Sequence, residues 1–167
     1  DDFYFMRDEM SILEAVNLRD CRIVNVELNE YSVPGKVIEK TNWAFEYETY
    51  CTREHRVTND VIPDYAFKNK TTLSKFVFPE NITEIGIEAF YGTLLSGALY
   101  IPDGVEVICP GAFSKTLIQS LELPKTIIRI DWNSMFNGAF YECKALTGQL
   151  TLPESLEYIG FGAGVNR

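Results

Sequence analysis

The chain has 167 residues, 46% of them hydrophobic, with 24 acidic against 15 basic side chains and a formal charge of -9. That content suits the core of one ordinary folded domain rather than a disordered tail. The acidity argues against contact with a nucleic-acid backbone or an anionic membrane, since both need a basic footprint.

No run reaches the roughly 18 apolar residues of a membrane span. The chain opens Asp1-Asp2 with no initiator methionine, charged leader or apolar signal segment. It is therefore expected to be a processed chain or a piece of a longer product, with any address or anchor outside it. Cys21, Cys51, Cys109 and Cys143 lie too far apart for a zinc pattern and are too few for a disulfide scaffold, so free thiols are expected.

In chain order, a short helix is predicted over Phe3 to Met10. Leu13, Val16, Leu18, Cys21 and Ile23 then carry the rhythm of a strand-bearing coil, so residues 1–23 read as a divergent first repeat. From 24 to 60 the pattern gives way to a polar, aromatic-rich stretch holding Trp43, Phe45, Tyr47 and Tyr50. It is too long for a routine connection and reads as an insertion loop, a place where repeat proteins carry partner-facing chemistry.

Residues 61–163 are regular. One phrase occurs four times: an apolar residue, a proline, an aliphatic three residues on and an isoleucine six residues on. It runs Phe78-Pro79, Ile82, Ile85; Ile101-Pro102, Val105, Ile108; Leu123-Pro124, Ile127, Ile130; and Leu152-Pro153, Leu156, Ile159. A fixed period of roughly 20 to 30 residues marks a solenoid whose coils bury their apolar faces only against one another. An Ala-Phe pair precedes each phrase, at Ala66-Phe67, Ala89-Phe90, Ala112-Phe113 and Ala139-Phe140; the first three pairs step by 23 residues and the last by 27. The extra residues fall within 131–136, where Met135-Phe136 is a local stand-in for the pair.

Between pair and proline, the alternating runs Leu73 to Phe78, Leu95 to Ile101, Leu117 to Leu123 and Leu146 to Leu152 predict one strand per coil, stopped by a proline that cannot continue the ladder. The strands should stack into a parallel sheet, and each Ala-Phe segment should form one helical or 3-10 turn. The whole, 1–167, is one domain: the divergent repeat, the insertion, four regular repeats and the start of a truncated fifth.

The unit from Ile62 to Gly86, and Ala139-Phe-Tyr-Glu-Cys143 with Leu146-Thr-Gly-Gln-Leu-Thr-Leu-Pro153, closely resemble the BspA-like (Treponema pallidum-type) leucine-rich repeat. The resemblance implies an α/β fold, a right-handed curved solenoid with short parallel strands on its concave face and short helical or 3-10 turns and loops on its convex face. It also implies secreted or surface proteins of anaerobic bacteria and some protists, several linked to adhesion, and no catalytic residues. Cys143 occupies the family's usual Cys position, while Lys70, Thr93 and Thr116 stand in or near it elsewhere. Cys21 and Cys143 lie where the family buries a small apolar side chain.

Candidate chemistry is sparse. His55, the single histidine, sits beside Glu54 in a polar loop without a positioned nucleophile or an orienting third group, so it reads as a solvated side chain. No cysteine has a neighbouring histidine to lower its pKa. Glu84, Glu88, Asp103, Glu106, Glu142, Glu154 and Glu157 are scattered over turns of different coils, unlike an Asp-rich calcium loop. No catalytic residue, metal or cofactor is expected.

The solvent face of the sheet is the better candidate. If residues one and three before each proline point inward, then Val77, Tyr100, Glu122 and Thr151 point outward, beside Lys75, Ala98, Ser120 and Gln149. These rows make a shallow strip suited to a polypeptide or glycan. The expected function is a non-enzymatic surface or secreted adhesion module that binds a host or neighbouring-cell protein or glycan through this strip and through Trp43, Phe45, Tyr47 and Tyr50. The alternative is a structural spacer in a longer surface protein; a carbohydrate-acting enzyme would need paired carboxylates converging in a cleft.

Overall fold

A computed structural model describes residues 2–23, 60–133, 137–147 and 149–160. Helix α1 (Asp2–Asp8) is followed by strands β1 (Ala15–Asn17), β2 (Val61–Ile62), β3 (Lys75–Val77), β4 (Glu84–Ile85), β5 (Ser96–Tyr100), β6 (Val107–Ile108), β7 (Leu117–Glu122), β8 (Arg129–Ile130), β9 (Trp132–Asn133), β10 (Asn137–Gly138) and β11 (Tyr158–Ile159). Successive repeats stack in chain order, and strands of neighbouring repeats that pair do so in parallel.

Two strands per repeat replace the one expected. The longer set supplies the pairs β1–β3 and β5–β7, and the second set forms a five-stranded parallel sheet in the order β11-β8-β6-β4-β2. Its strands end on an isoleucine, that of the proline phrase in all but β2, so Ile62, Ile85, Ile108, Ile130 and Ile159 form one register column. A two-residue strand shows no alternation, which is why pattern reading passes over it.

The phrase is thus a corner between two ladders. Proline ends the first strand, and the amide three residues on closes a turn onto the proline carbonyl: Val105 to Pro102 at 3.3 Å, Ile127 to Pro124 at 3.3 Å and Leu156 to Pro153 at 3.2 Å. Ile82, Val105 and Ile127 are buried at that step, and Ile85, Ile108 and Ile130 at the next. After the isoleucine the backbone hugs the preceding repeat. A Cβ on Gly86 would sit 2.6 Å from the Asp64 amide nitrogen and 2.7 Å from the Pro63 carbonyl carbon, which leaves room only for glycine.

The Ala-Phe segments are chained turns rather than helix. Alternate amides bond back three residues, as Lys68 to Tyr65 and Lys70 to Phe67, while those between donate to the next repeat: Tyr65 to Ile87, Phe67 to Ala89 and Asn69 to Tyr91. A helix would use every amide within its own segment and leave none for the neighbouring coil. The alternation aligns the phenylalanines. Phe67, Phe90, Phe113 and Phe140 stack at centroid spacings of 5.5, 5.3 and 5.5 Å, with interplanar angles of 19°, 1° and 5°.

Helix α1 covers the first end of that stack. Phe3 meets Phe67 edge-on at 5.8 Å, Tyr4 Oη donates to the Asp64 carbonyl at 3.1 Å, and Arg7 donates to the Tyr65 carbonyl at 2.9 Å. Lys70, buried, donates through Nζ to the Arg7 carbonyl at 2.9 Å and to the Met10 carbonyl, which satisfies the helix C-terminus with a positive charge.

Strand β1 lies parallel to β3, with Val16 opposite Phe76. The Asp60 amide donates to the Ile23 carbonyl at 3.0 Å, which brings residues 23 and 60 together. Cys21 is exposed, against expectation; Cys143 is buried as expected, and both are free thiols.

Two further expectations change. The sheet is not continuous, because no pairing joins β3 to β5; Leu73 to Phe76 spans three residues where Leu95 to Leu99 spans four, which puts the two runs out of step. The run Leu146 to Leu152 contributes no strand among the described residues, although the Thr147 amide donates to the Gln119 carbonyl at 3.0 Å. In the lengthened repeat, β9 and β10 pair antiparallel, while Met135 and Phe136 lie outside the described residues.

Candidate functional site

The β5–β7 pair carries the middle of the predicted strip. Ala98 lies opposite Ser120 and Tyr100 opposite Glu122, with an irregularity at Gly97/Ala98 that leaves Gln119 unmatched. All four of the paired side chains are exposed, Tyr100 by 65%. Their backbones are held from beneath by buried Leu99, Ile101, Ile118 and Leu123.

An open trough of about 1010 Å³ runs over this face. Ala98, Tyr100, Ser120, Glu122, Gln149 and Thr151 all line it, so six of the eight strip residues come together. Lys75 and Val77 do not: they sit on β3 beside Ala15 and Asn17, across the break in the sheet, and Val77 is half-buried. Trp43, Phe45, Tyr47 and Tyr50 lie outside the described residues, as do Glu54 and His55.

Sequence reading missed the trough's far wall. Lys125, Glu154 and Ser155 line it from the corners after Pro124 and Pro153. The signal was available, because the residue after the proline starts the same turn in every repeat. The trough's chemistry is mixed: one large exposed ring, hydroxyls and an amide, two carboxylates and one ammonium.

Among the described residues no three His, Cys, Asp or Glu side chains gather as a metal site, and no helix is long and apolar enough to cross a membrane. Burial pushes the Cys143 thiol up, only partly opposed by its hydrogen bond with Thr116, so it is held as a neutral thiol.

The family model for the BspA type leucine rich repeat region matches residues 60–163, more than half of the chain, in six copies. The chain belongs to the BspA-type leucine-rich-repeat family. No curated protein and no solved structure matches it. BspA-type repeats are generally non-enzymatic, and proteins that carry them are typically secreted or on cell surfaces.

The BspA-type cysteine column is intact in geometry though varied in chemistry. Lys70, Thr93, Thr116 and Cys143 each bond through the backbone amide to the carbonyl of the phenylalanine three residues before, and all four are buried. Thr93 and Thr116 donate their hydroxyls to those same carbonyls, of Phe90 and Phe113, at 3.0 and 2.8 Å. Cys143 reaches the Phe113 carbonyl at 3.0 Å. A hydroxyl therefore replaces the thiol in middle repeats, and a lysine replaces it where the neighbour is a helix end.

The turn face of this BspA-type stack is more charged than its strand face. Lys68 lies 2.5 Å from Glu88 Oε2 and over the rings of Tyr65 and Tyr91, at 5.1 and 5.5 Å, and Lys115 lies 5.0 Å over Tyr91. Arg129, with Asp131 at 2.9 Å, lies 5.7 Å over Tyr158. Lys68 and Lys115 on the turn segments, and Arg129 on β8, are thus engaged inside the chain.

Proposed function

We propose that this chain is a non-enzymatic binding module of a secreted or cell-surface protein, and that the trough over β5, β7 and Gln149 to Ser155 is its contact surface. The stack is read as a right-handed curved solenoid with the trough on its concave side, where a polypeptide or glycan crosses several repeats. The observation that carries this reading is the gathering of exposed, chemically mixed side chains over a rigid, stacked core. A regular backbone beneath, and variable outward groups above, is the arrangement that lets repeat proteins bind through a surface rather than a pocket.

An enzyme is the poorer reading. Glu122 and Glu154 share the trough, but both are exposed, whereas a carboxylic acid that donates its proton near neutrality needs a desolvated site. A purified chain probed against an array of glycans and host proteins tests the proposal. Binding that is lost in a Tyr100→Ala, Gln149→Ala double variant with an unchanged melting temperature supports it; binding that persists in that variant overturns the choice of surface, and no binding at all favours the spacer.

A further inference from the structure

Three of the chain's basic groups are held in one recurring way. Arg7 lies 2.6 Å from Asp8 and 5.0 Å over the Tyr4 ring. Lys68 has Glu88 and the rings of Tyr65 and Tyr91; Arg129 has Asp131 and the ring of Tyr158. Each positive group is met by a carboxylate on one side and a tyrosine face on the other. A ring quadrupole within about 6 Å attracts a cation, and a carboxylate adds a charge-assisted hydrogen bond.

The same two groups stand side by side in the trough. Tyr100 and Glu122 are register partners on adjacent parallel strands, which puts their backbones about 4.8 Å apart with both side chains on one face. Tyr100 is 65% exposed and Glu122 is exposed. Among the described residues, neither side chain has a hydrogen bond, ion pair or ring contact, in contrast to the three pairs above. Lys125 lines the same trough without such a contact to either.

We propose that Tyr100 and Glu122 form a receiving pair for a basic side chain, so that the trough takes a polypeptide bearing arginine or lysine. This rests on the trough being the contact surface. The guanidinium or ammonium lies over the Tyr100 ring while the Glu122 carboxylate accepts its hydrogen bonds. Charge complementarity points the same way, since the chain carries a formal charge of -9 and draws cationic segments toward it. Ser120, Gln149 and Thr151 then serve the main chain of the bound segment.

The test is fluorescence anisotropy of a labelled tetra-arginine peptide, with its uncharged tetra-citrulline counterpart, titrated with the full chain. Tyr100→Ala and Glu122→Gln are each expected to weaken arginine binding about tenfold, the factor that corresponds to about 1.4 kcal/mol. Glu80→Gln, which removes the same charge from an exposed corner away from the trough, is expected to leave it within about twofold, and circular dichroism melts check that each variant folds. Equal weakening by Glu80→Gln and Glu122→Gln, or equal binding of the two peptides, overturns the proposal. Absence of arginine binding together with a Tyr100-dependent glycan on the array overturns this inference alone and leaves the trough standing. Binding of any ligand that ignores both trough substitutions overturns the two readings together.

Discussion

Two positions in each of the first three turn segments, and one in the fourth, adopt a left-handed backbone, and most of them are not glycine. Tyr65, Asn69, Glu88, Lys115 and Glu142 have φ between 47° and 60°, at places where Gly92 and Gly111 stand in other repeats. A left-handed non-glycine residue costs on the order of 1 kcal/mol or more. The alternation of bonds explains why it is tolerated, since reversing φ aims every second amide at the next repeat. Tyr65 shows what the position does chemically. Burial first, then the charges of Asp64 and Glu88 and the nearby Tyr4, push its phenol up to about 12. An acid whose pKa is raised on folding favours the native state while both forms are protonated, below about pH 10, and that contribution drains away as pH climbs from about 10 to about 12. In that window the unfolded chain has lost the proton and the native one keeps it. The wild-type chain is therefore expected to lose stability between these pH values more steeply than Tyr65→Phe in urea melts; parallel slopes would contradict the assignment.

The elements are short because the neighbouring repeat, not the strand itself, satisfies each one. Two-residue strands such as β4, β6 and β8 persist because each is sandwiched between equivalents in one sheet and ends on a buried isoleucine. Helix α1 has no such ladder and depends on Phe3, Tyr4, Arg7 and Lys70. Lys70→Thr separates the two roles of that position. A threonine there is expected to bond the Phe67 carbonyl, as Thr93 and Thr116 bond theirs, but it cannot reach the helix end. Loss of the charged donor should cost about 2 kcal/mol, seen as faster amide exchange confined to residues 2–10, with the β4–β6–β8 amides unchanged. Uniformly faster exchange throughout the stack would mean that α1 is an integral part of the core.

At the scale of the whole molecule, what could be read in the sequence follows from what the core demands. The phenylalanine column, the proline corners and the isoleucine column were legible, because burial against an identical neighbour enforces a fixed spacing. The second ladder was not, since two residues cannot display a period. The break between β3 and β5 lay in the spacing of Leu73 to Phe76 against Leu95 to Leu99, a one-residue difference that only matters once the strands must pair. The outward rows of the trough followed from proline register, whereas Lys125, Glu154 and Ser155 join them through the path of a corner, which pattern alone does not trace.

On the proposed function, partners meet this chain at the trough. Hydrogen–deuterium exchange of the chain with and without the tightest ligand from the array tests it most directly. Slowed exchange confined to residues 96–101, 117–123 and 149–155 is the predicted result. Slowed exchange instead along the turn face at Tyr65, Tyr91 and Tyr141, with the trough unchanged, would contradict it.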